Sequence, residues 1–406
     1  MNKQLKILFV VADFWQAGAQ RYAYEVDLAL NKNKFEVHIL SYRDLNSSKY
    51  YTDYYYEKHI KLGSKIHFVN IISPLPDKSI IEKVVYRFLP TRFRDKLMLF
   101  FVKKGDTRKK KLSAFLNEFD IISWAGEYTV AFLVDLLEDN IYDKSIIHIM
   151  NARFQGVNMY DRYPKSMHYI FTSGFDDQKQ LNYELSEIQD FEHFLFPLFL
   201  NINVKANLWK FAYKKKKIGI FTRLDLMKPL DPFMYAFHLL QLKMPDIELH
   251  IFGSGDPLKS GIKKYTTHLG IEENVFFRGH VENISDTAVS EELDLVWYQG
   301  YKNRPGGYAG FDICLTGIPQ IFWEFTYLAT ELDSDPHSIY PIYKRLDFFV
   351  EKSYQILNNQ EEASRLSSLQ FNDTINERDM KKKIYILEDL YVEVALRNSK
   401  VNAKIN

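Results

Sequence analysis

At 406 residues the chain is long for one hydrophobic core, and its make-up (46% hydrophobic, with 31 Phe and 27 Tyr) can fill two. A formal net charge of +1 excludes a partner selected by overall charge, so only local clusters can define one. The single cysteine, Cys314, excludes an internal disulfide and any multi-cysteine metal centre.

The first apolar run, Ile7–Ala12, is too short for the hydrophobic region of a signal peptide followed by a cleavage site, and Asp13 follows at once. No stretch approaches the roughly 20 uncharged residues of a membrane span. The expectation is a cytoplasmic protein. Ile7–Val11 has the continuous apolar character of a parallel strand covered on both faces. Gly18 opens a helix with Ala19, Tyr22, Ala23, Val26 and Leu30 near the i, i+3, i+4, i+7 template. Phe35–Ser41, Ser145–Ile149 and Tyr169–Thr172 read as further strands.

Between them, residues 83–111 interleave Lys and Arg with Phe, Leu and Tyr and end in Arg108-Lys-Lys-Lys111. Two readings stand for this segment: a basic amphipathic stretch lying on an anionic membrane surface, or a domain helix with a basic outer face. Nucleic acid is not expected, given the near-neutral charge and the lack of a recognition motif.

A second series follows a basic linker, Lys214–Lys217. Its strands are Ile218–Phe221, Ile247–Phe252, Val275–Phe277, Leu293–Tyr298 and Gln320–Trp323, with helical patterns at 231–243, 258–268, 283–291 and 309–316. Cys314 falls on the apolar face of the last of these and reads as a small buried hydrophobe. From about 342 onward the pattern is helical, closing on Glu377–Asn398. Alternating strands and helices predict parallel sheets. Two such series predict an α/β protein of two doubly wound Rossmann-like domains facing a central cleft. The expected boundaries are 1–205, 206–376 and a C-terminal helix, 377–406, crossing back to the first domain. Ligands of such sheets bind beyond the carboxyl ends of the strands.

Three constellations lie at such ends. Arg223 and Lys228 follow the strand Ile218–Phe221, where cations and free backbone amides favour a diphosphate. Asp312 is expected in the first turn of a helix, after Pro305-Gly306-Gly307-Tyr308-Ala309-Gly310, whose glycines let the backbone approach a ligand. Gly18, after Ala17, is a weaker candidate for amides that meet a phosphate. Gly253-Ser-Gly255 reads as turn chemistry.

These segments in this order, with Leu249–Gly255, Val275–Val281, Leu293–Val296 and Gly310–Pro319, resemble the C-terminal domain of retaining GT-B glycosyltransferases, specifically glycosyltransferase family 4. Leu8–Val11 and Ala17–Arg21 are similar to the family's first strand and glycine loop, so the likeness runs over roughly residues 5–325. It implies that Arg223 and Lys228 neutralise the donor diphosphate and that Asp312 holds the ribose. Gly279, His280 and Val281 would pack the base, Gly306, Gly307 and Tyr308 would line the donor, and Gly18 would approach its phosphate or the acceptor. Arg304 stands where the family has a glutamate that touches the donor sugar, which implies an unusual, acidic sugar or a lost activity. Thr222 replaces the glycine before the arginine. The family's polar residue on the first domain has two candidates, His148 and Asn151; a lone histidine in an apolar strand is more often a core residue.

The implied activity is a retaining, hexosyltransferase-type transfer from a nucleotide sugar to a glycan or lipid-linked acceptor in cell-surface polysaccharide or glycoconjugate assembly. It would run at the cytoplasmic face, with no metal and no cofactor beyond the co-substrate. Asp333-Ser-Asp335, the one metal-type signature, falls in a polar loop and reads as a solvated acidic turn. A sugar-nucleotide epimerase and a non-catalytic subunit binding a partner enzyme or glycan remain as alternatives.

Overall fold

Short apolar runs make the strands here, and their burial on both faces sets the architecture. A computed structural model describes residues 4–48, 51–72, 106–126, 129–130, 137–150, 167–172, 179, 193–203, 209–224, 229–299, 307–324 and 338–405. The chain divides into two units, one of Met1–Pro197 with Met380–Asn406 and one of Leu198–Asp379.

The first unit holds a seven-stranded parallel sheet of β1 (Leu5–Val11), β2 (Phe35–Ser41), β3 (Lys65–Phe68), β4 (Ile121–Ala125), β5 (Ser145–Ile149), β6 (His168–Phe171) and β7 (His193–Leu195). Their spatial order is β3-β2-β1-β4-β5-β6-β7. The second sheet, also parallel, comprises β8 (Lys217–Phe221), β9 (Glu248–Phe252), β10 (Val275–Gly279), β11 (Leu295–Gln299), β12 (Gln320–Trp323) and β13 (Ile342–Tyr343), ordered β10-β9-β8-β11-β12-β13. Both orders reverse direction after their first strand, the doubly wound arrangement, and the reversal lies between β1 and β4 and between β8 and β11.

Helices cover the sheets. In the first unit these are α1 (Gly18–Ala29), α2 (Tyr56–Lys61), α3 (Val69–Ile72), α4 (Asp106–Leu116) and α5 (Asp139–Tyr142). In the second they are α6 (Asp231–Lys243), α7 (Ile262–Leu269), α8 (Ile284–Ser290), α9 (Tyr308–Cys314), α10 (Leu346–Asn358) and α11 (Gln360–Glu377). On one face of the second sheet Phe233, Phe237 and Leu240 of α6 pack with Ile220, Ile251 and Trp297. On the other, Ile313 and Cys314 of α9 pack with Phe252, Val296 and Phe322. Cys314 is fully buried and its thiol is pushed up to about 12 by burial, so it behaves as a hydrophobe. Each sheet buries a tryptophan whose indole N–H donates to a serine, Trp124 to Ser145 at 3.0 Å and Trp297 to Ser353 at 3.1 Å. Loss of either hydroxyl would strand a buried donor, at a cost of about 1–3 kcal/mol.

The final helix, α12 (Met380–Ile405), belongs to the first unit. Glu388 accepts from the Asn31 amide at 2.8 Å and pairs with Lys34 at 3.2 Å. Buried Tyr391 meets Phe9 and Phe35 edge-on, at ring separations of 6.4 and 6.1 Å.

Several sequence expectations change. Lys214–Lys217 is not a linker: it lies inside the second unit, and Lys214, Lys215 and Lys216 pair with Glu292, Glu248 and Asp294. Leu293 and Asp294 precede β11, because the Asp294 carboxylate accepts the Lys217 amide at 2.9 Å and caps the start of β8. Residues 256–261 form turns before α7, and Ile342–Tyr343 is an edge strand rather than helix. Strands β3, β4 and β7 have no counterpart in the sequence reading. Most of 83–111 and all of Asp333–Asp335 lie outside the described residues.

Candidate active site

The carboxyl ends of four neighbouring strands of the second sheet bring together most of the described donor-site candidates. Beyond β8 the backbone stays laced to the loop after β9: the Thr222 amide donates to Phe252 and the Leu224 amide to Ser254, at 2.9 and 2.8 Å. The Gly253 amide in turn donates to the Gly279 carbonyl at 2.7 Å, tying in the end of β10. A Cβ on Gly253 would fall inside the Thr222 carbonyl, so glycine here is demanded by close backbone approach. This lacing presents Arg223, whose side chain is exposed, at the switch point between β8 and β11.

Gly279 ends β10 with φ 78°, a left-handed turn that exposes His280 and leaves Val281 half-buried against the core. After β11, Gly307 leads into α9, and Tyr308 is buried with its hydroxyl donating to the Phe199 carbonyl at 3.2 Å. Asp312 is the fifth residue of α9, one residue deeper than expected, because the helix starts at Tyr308. It is half-buried, and its carbonyl accepts from Ser285 at 2.9 Å. Buried Tyr298, near the end of β11, has its phenol pushed well above the usual range by burial and then by the Asp312 charge. Lys228, Arg304 and Gly306 lie outside the described residues.

In the first unit Gly18 is the exposed first residue of α1 and a Cβ there would meet nothing. His148 is fully buried in β5, its Nε2 2.8 Å from the Ser123 hydroxyl and its ring 4.7 Å from that of Tyr22. Burial pushes its imidazole down to about 3, and Nδ1 has no hydrogen-bond partner. Such a histidine stays neutral at physiological pH. Asn151 lies outside the described residues.

Sequence reasoning missed a polar group at the carboxyl ends of β1 and β2. Asp13 is buried and accepts from the Trp15 amide at 3.1 Å and the Gln20 amide at 2.6 Å. Arg43 pairs with it at 3.2 Å and lies over the Trp15 ring at 4.3 Å, while Tyr51 stacks on Trp15 at 4.6 Å. Burial raises the Asp13 carboxyl pKa, against the Trp15 amide and the Arg43 charge, which lower it. The one sequence signal was a carboxylate two residues past a buried strand. Among the described residues no group of three or more His, Cys, Asp or Glu could hold a metal, and no helix is long and apolar enough to cross a membrane.

No protein-family model matches the chain. Over 136 residues, 32% of its length, it is 28% identical to the poly(glycerol-phosphate) alpha-glucosyltransferase of Bacillus subtilis (strain 168), and that stretch is 19% of the enzyme. Among solved structures it is similar to the sucrose-phosphate synthase of Thermosynechococcus elongatus (TM-score 0.65, 12% identity, 96% of this chain and 99% of that one). It is similar to Anabaena HepE solved with UDP and glucose (0.62, 12%, 98% and 100%). A third is a mutant of S. aureus TarM solved with Fondaparinux, alpha-GlcNAc-glycerol and UDP (0.65, 12%, 97% and 100%). With the two doubly wound sheets, this likeness assigns the chain the GT-B fold, the architecture of these glycosyltransferases.

Proposed function

We propose that the chain is a nucleotide-sugar-dependent glycosyltransferase that retains configuration at the anomeric carbon, related to glycosyltransferase family 4. Its acceptor is a glycan or a lipid-linked glycan in cell-surface polysaccharide or glycoconjugate assembly. The observation that carries this reading is the exposed Arg223 on a loop laced to the ends of β9 and β10 at the switch point of the second sheet. Cleavage of the sugar–phosphate bond builds negative charge on the departing diphosphate, and fixed cations there stabilise the transition state more than the bound donor. Arg223 and Lys228 supply those cations. Asp312 accepts from the ribose hydroxyls, and the open turn at Gly279–Val281 takes the base. Solved structures of the same fold with bound UDP support the donor class. Arg304, in the place of a glutamate, favours an acidic donor sugar, because a guanidinium pairs bidentately with a carboxylate.

A panel of nucleotide sugars and UDP, read by thermal shift and by slow release of free sugar, tests this. One donor should raise the melting temperature and be hydrolysed. Arg223→Ala with Lys228→Ala should weaken its binding at least about a hundredfold, the loss of two charge-assisted contacts, with an unchanged melting temperature in the free protein. Unchanged donor affinity would remove both residues from the site. Binding without turnover would instead favour the non-catalytic subunit, for which Arg304 is the motivating residue.

A further inference from the structure

Helix α6 is apolar on two sides. Phe233, Met234, Ala236, Phe237 and Leu240 face the core, as a helix packed on a sheet requires. The opposite side should be polar, yet Tyr235, Leu239 and Leu242 recur there at i, i+4 and i+7 and are 46%, 38% and 70% exposed. Helix α7 lies alongside, with the Tyr235 and Tyr265 rings edge-to-face at 5.3 Å, and the turn before it exposes Leu258. That turn and the start of α7 carry Lys259, Lys263 and Lys264, all exposed.

Among the described residues these three lysines form no ion pair, unlike others of the same unit. Lys214, Lys215, Lys216, Lys243 and Lys352 each close onto a carboxylate. The nearest acid in sequence, Asp256, is occupied in accepting the Leu258 amide at 2.9 Å. An uncovered apolar stripe beside three exposed lysines has a specific complement, an interface that is apolar below and anionic above.

We propose that the outer face of α6 and the start of α7 dock on the surface of an anionic lipid bilayer. Leucine and tyrosine side chains enter the boundary between headgroups and acyl chains, while the ammonium groups remain among lipid phosphates. Lysine is depleted at protein–protein interfaces, whose energetic centres are arginine and aromatic anchors seated in pockets, so this composition favours lipid over a protein partner. Its residues are neither those of 83–111 nor the donor-site candidates, so its test stands apart from the proposed activity.

The test is co-sedimentation of the full chain with vesicles of phosphatidylglycerol and phosphatidylcholine in equal parts, against phosphatidylcholine alone. The intact chain should bind the mixed vesicles and not the neutral ones. Lys259→Glu with Lys263→Glu and Lys264→Glu should weaken binding by about a hundredfold, several-fold for each lysine near the surface. Leu239→Ser with Leu242→Ser should abolish the share of binding that survives high salt. All five side chains are exposed, and unchanged melting temperatures would confirm intact folds. No binding by the intact chain would overturn the proposal, as would equal binding by both variants, which puts the contact elsewhere. So would a dimer in light scattering that both variants dissociate, which assigns the face to a second copy.

Discussion

His148 shows how burial decides what one side chain can do. An imidazole in the unfolded chain titrates near 6.5, while in β5 burial pushes it down to about 3. The unfolded state therefore binds a proton that the native state refuses. The stability this group contributes is complete above about pH 6.5 and is lost as the pH falls toward 3. Through His148 the native state should lose about 2 kcal/mol between pH 7 and pH 5. Urea midpoints at the two pH values should show that loss reduced in His148→Gln, and an identical pH dependence in both proteins would refute it. The histidine itself was visible in the sequence; its partners were not, since Ser123 and Tyr22 come from elements far apart in the chain. Asp13 was missed for the same reason: its importance lies in contacts with Arg43 and Gln20 that form only after β1, β2 and α1 pack.

At the scale of elements, segments with a clear period or a bounded apolar run were legible and several weaker ones were not. Helix α6 and strands β2, β5 and β12 fall where their patterns put them, since each pattern is set by a single buried face or run. Ile121–Ala125 is fully buried and five residues long, like β5, but an apolar run of that length does not by itself separate strand from helix. Lys65–Phe68 and His193–Leu195 are short and only partly buried, so their sequences carry little hydrophobic signal. The start of α9 was shifted by one residue, enough to move Asp312 out of the first turn. Helix α12 is the element whose packing is most readily tested. Tyr391→Ala should cost the first unit about 3–5 kcal/mol through the cavity left against Phe9 and Phe35. Chemical denaturation followed by tryptophan fluorescence would read it, and a loss below about 1 kcal/mol would mean the helix adds little to that core.

For the whole molecule, two sheets that share their order over six strands each gather the residues that follow their strands at one end. On the proposed reading Arg223 and Lys228 neutralise the diphosphate, so donor binding and turnover should be unchanged by EDTA; a loss restored by magnesium or manganese would transfer that neutralisation to a metal. Two cores, alternating strands and helices, and the order of the loop motifs were readable from residues alone, since hydrophobic period and turn residues are local properties. Strand order, the lacing of Thr222, Gly253 and Gly279, the burial of His148 and the uncovered stripe on α6 emerged only once distant segments packed. The physical reason is range: periodicity is written within one element, whereas desolvation and backbone approach depend on what other elements bring to the same place.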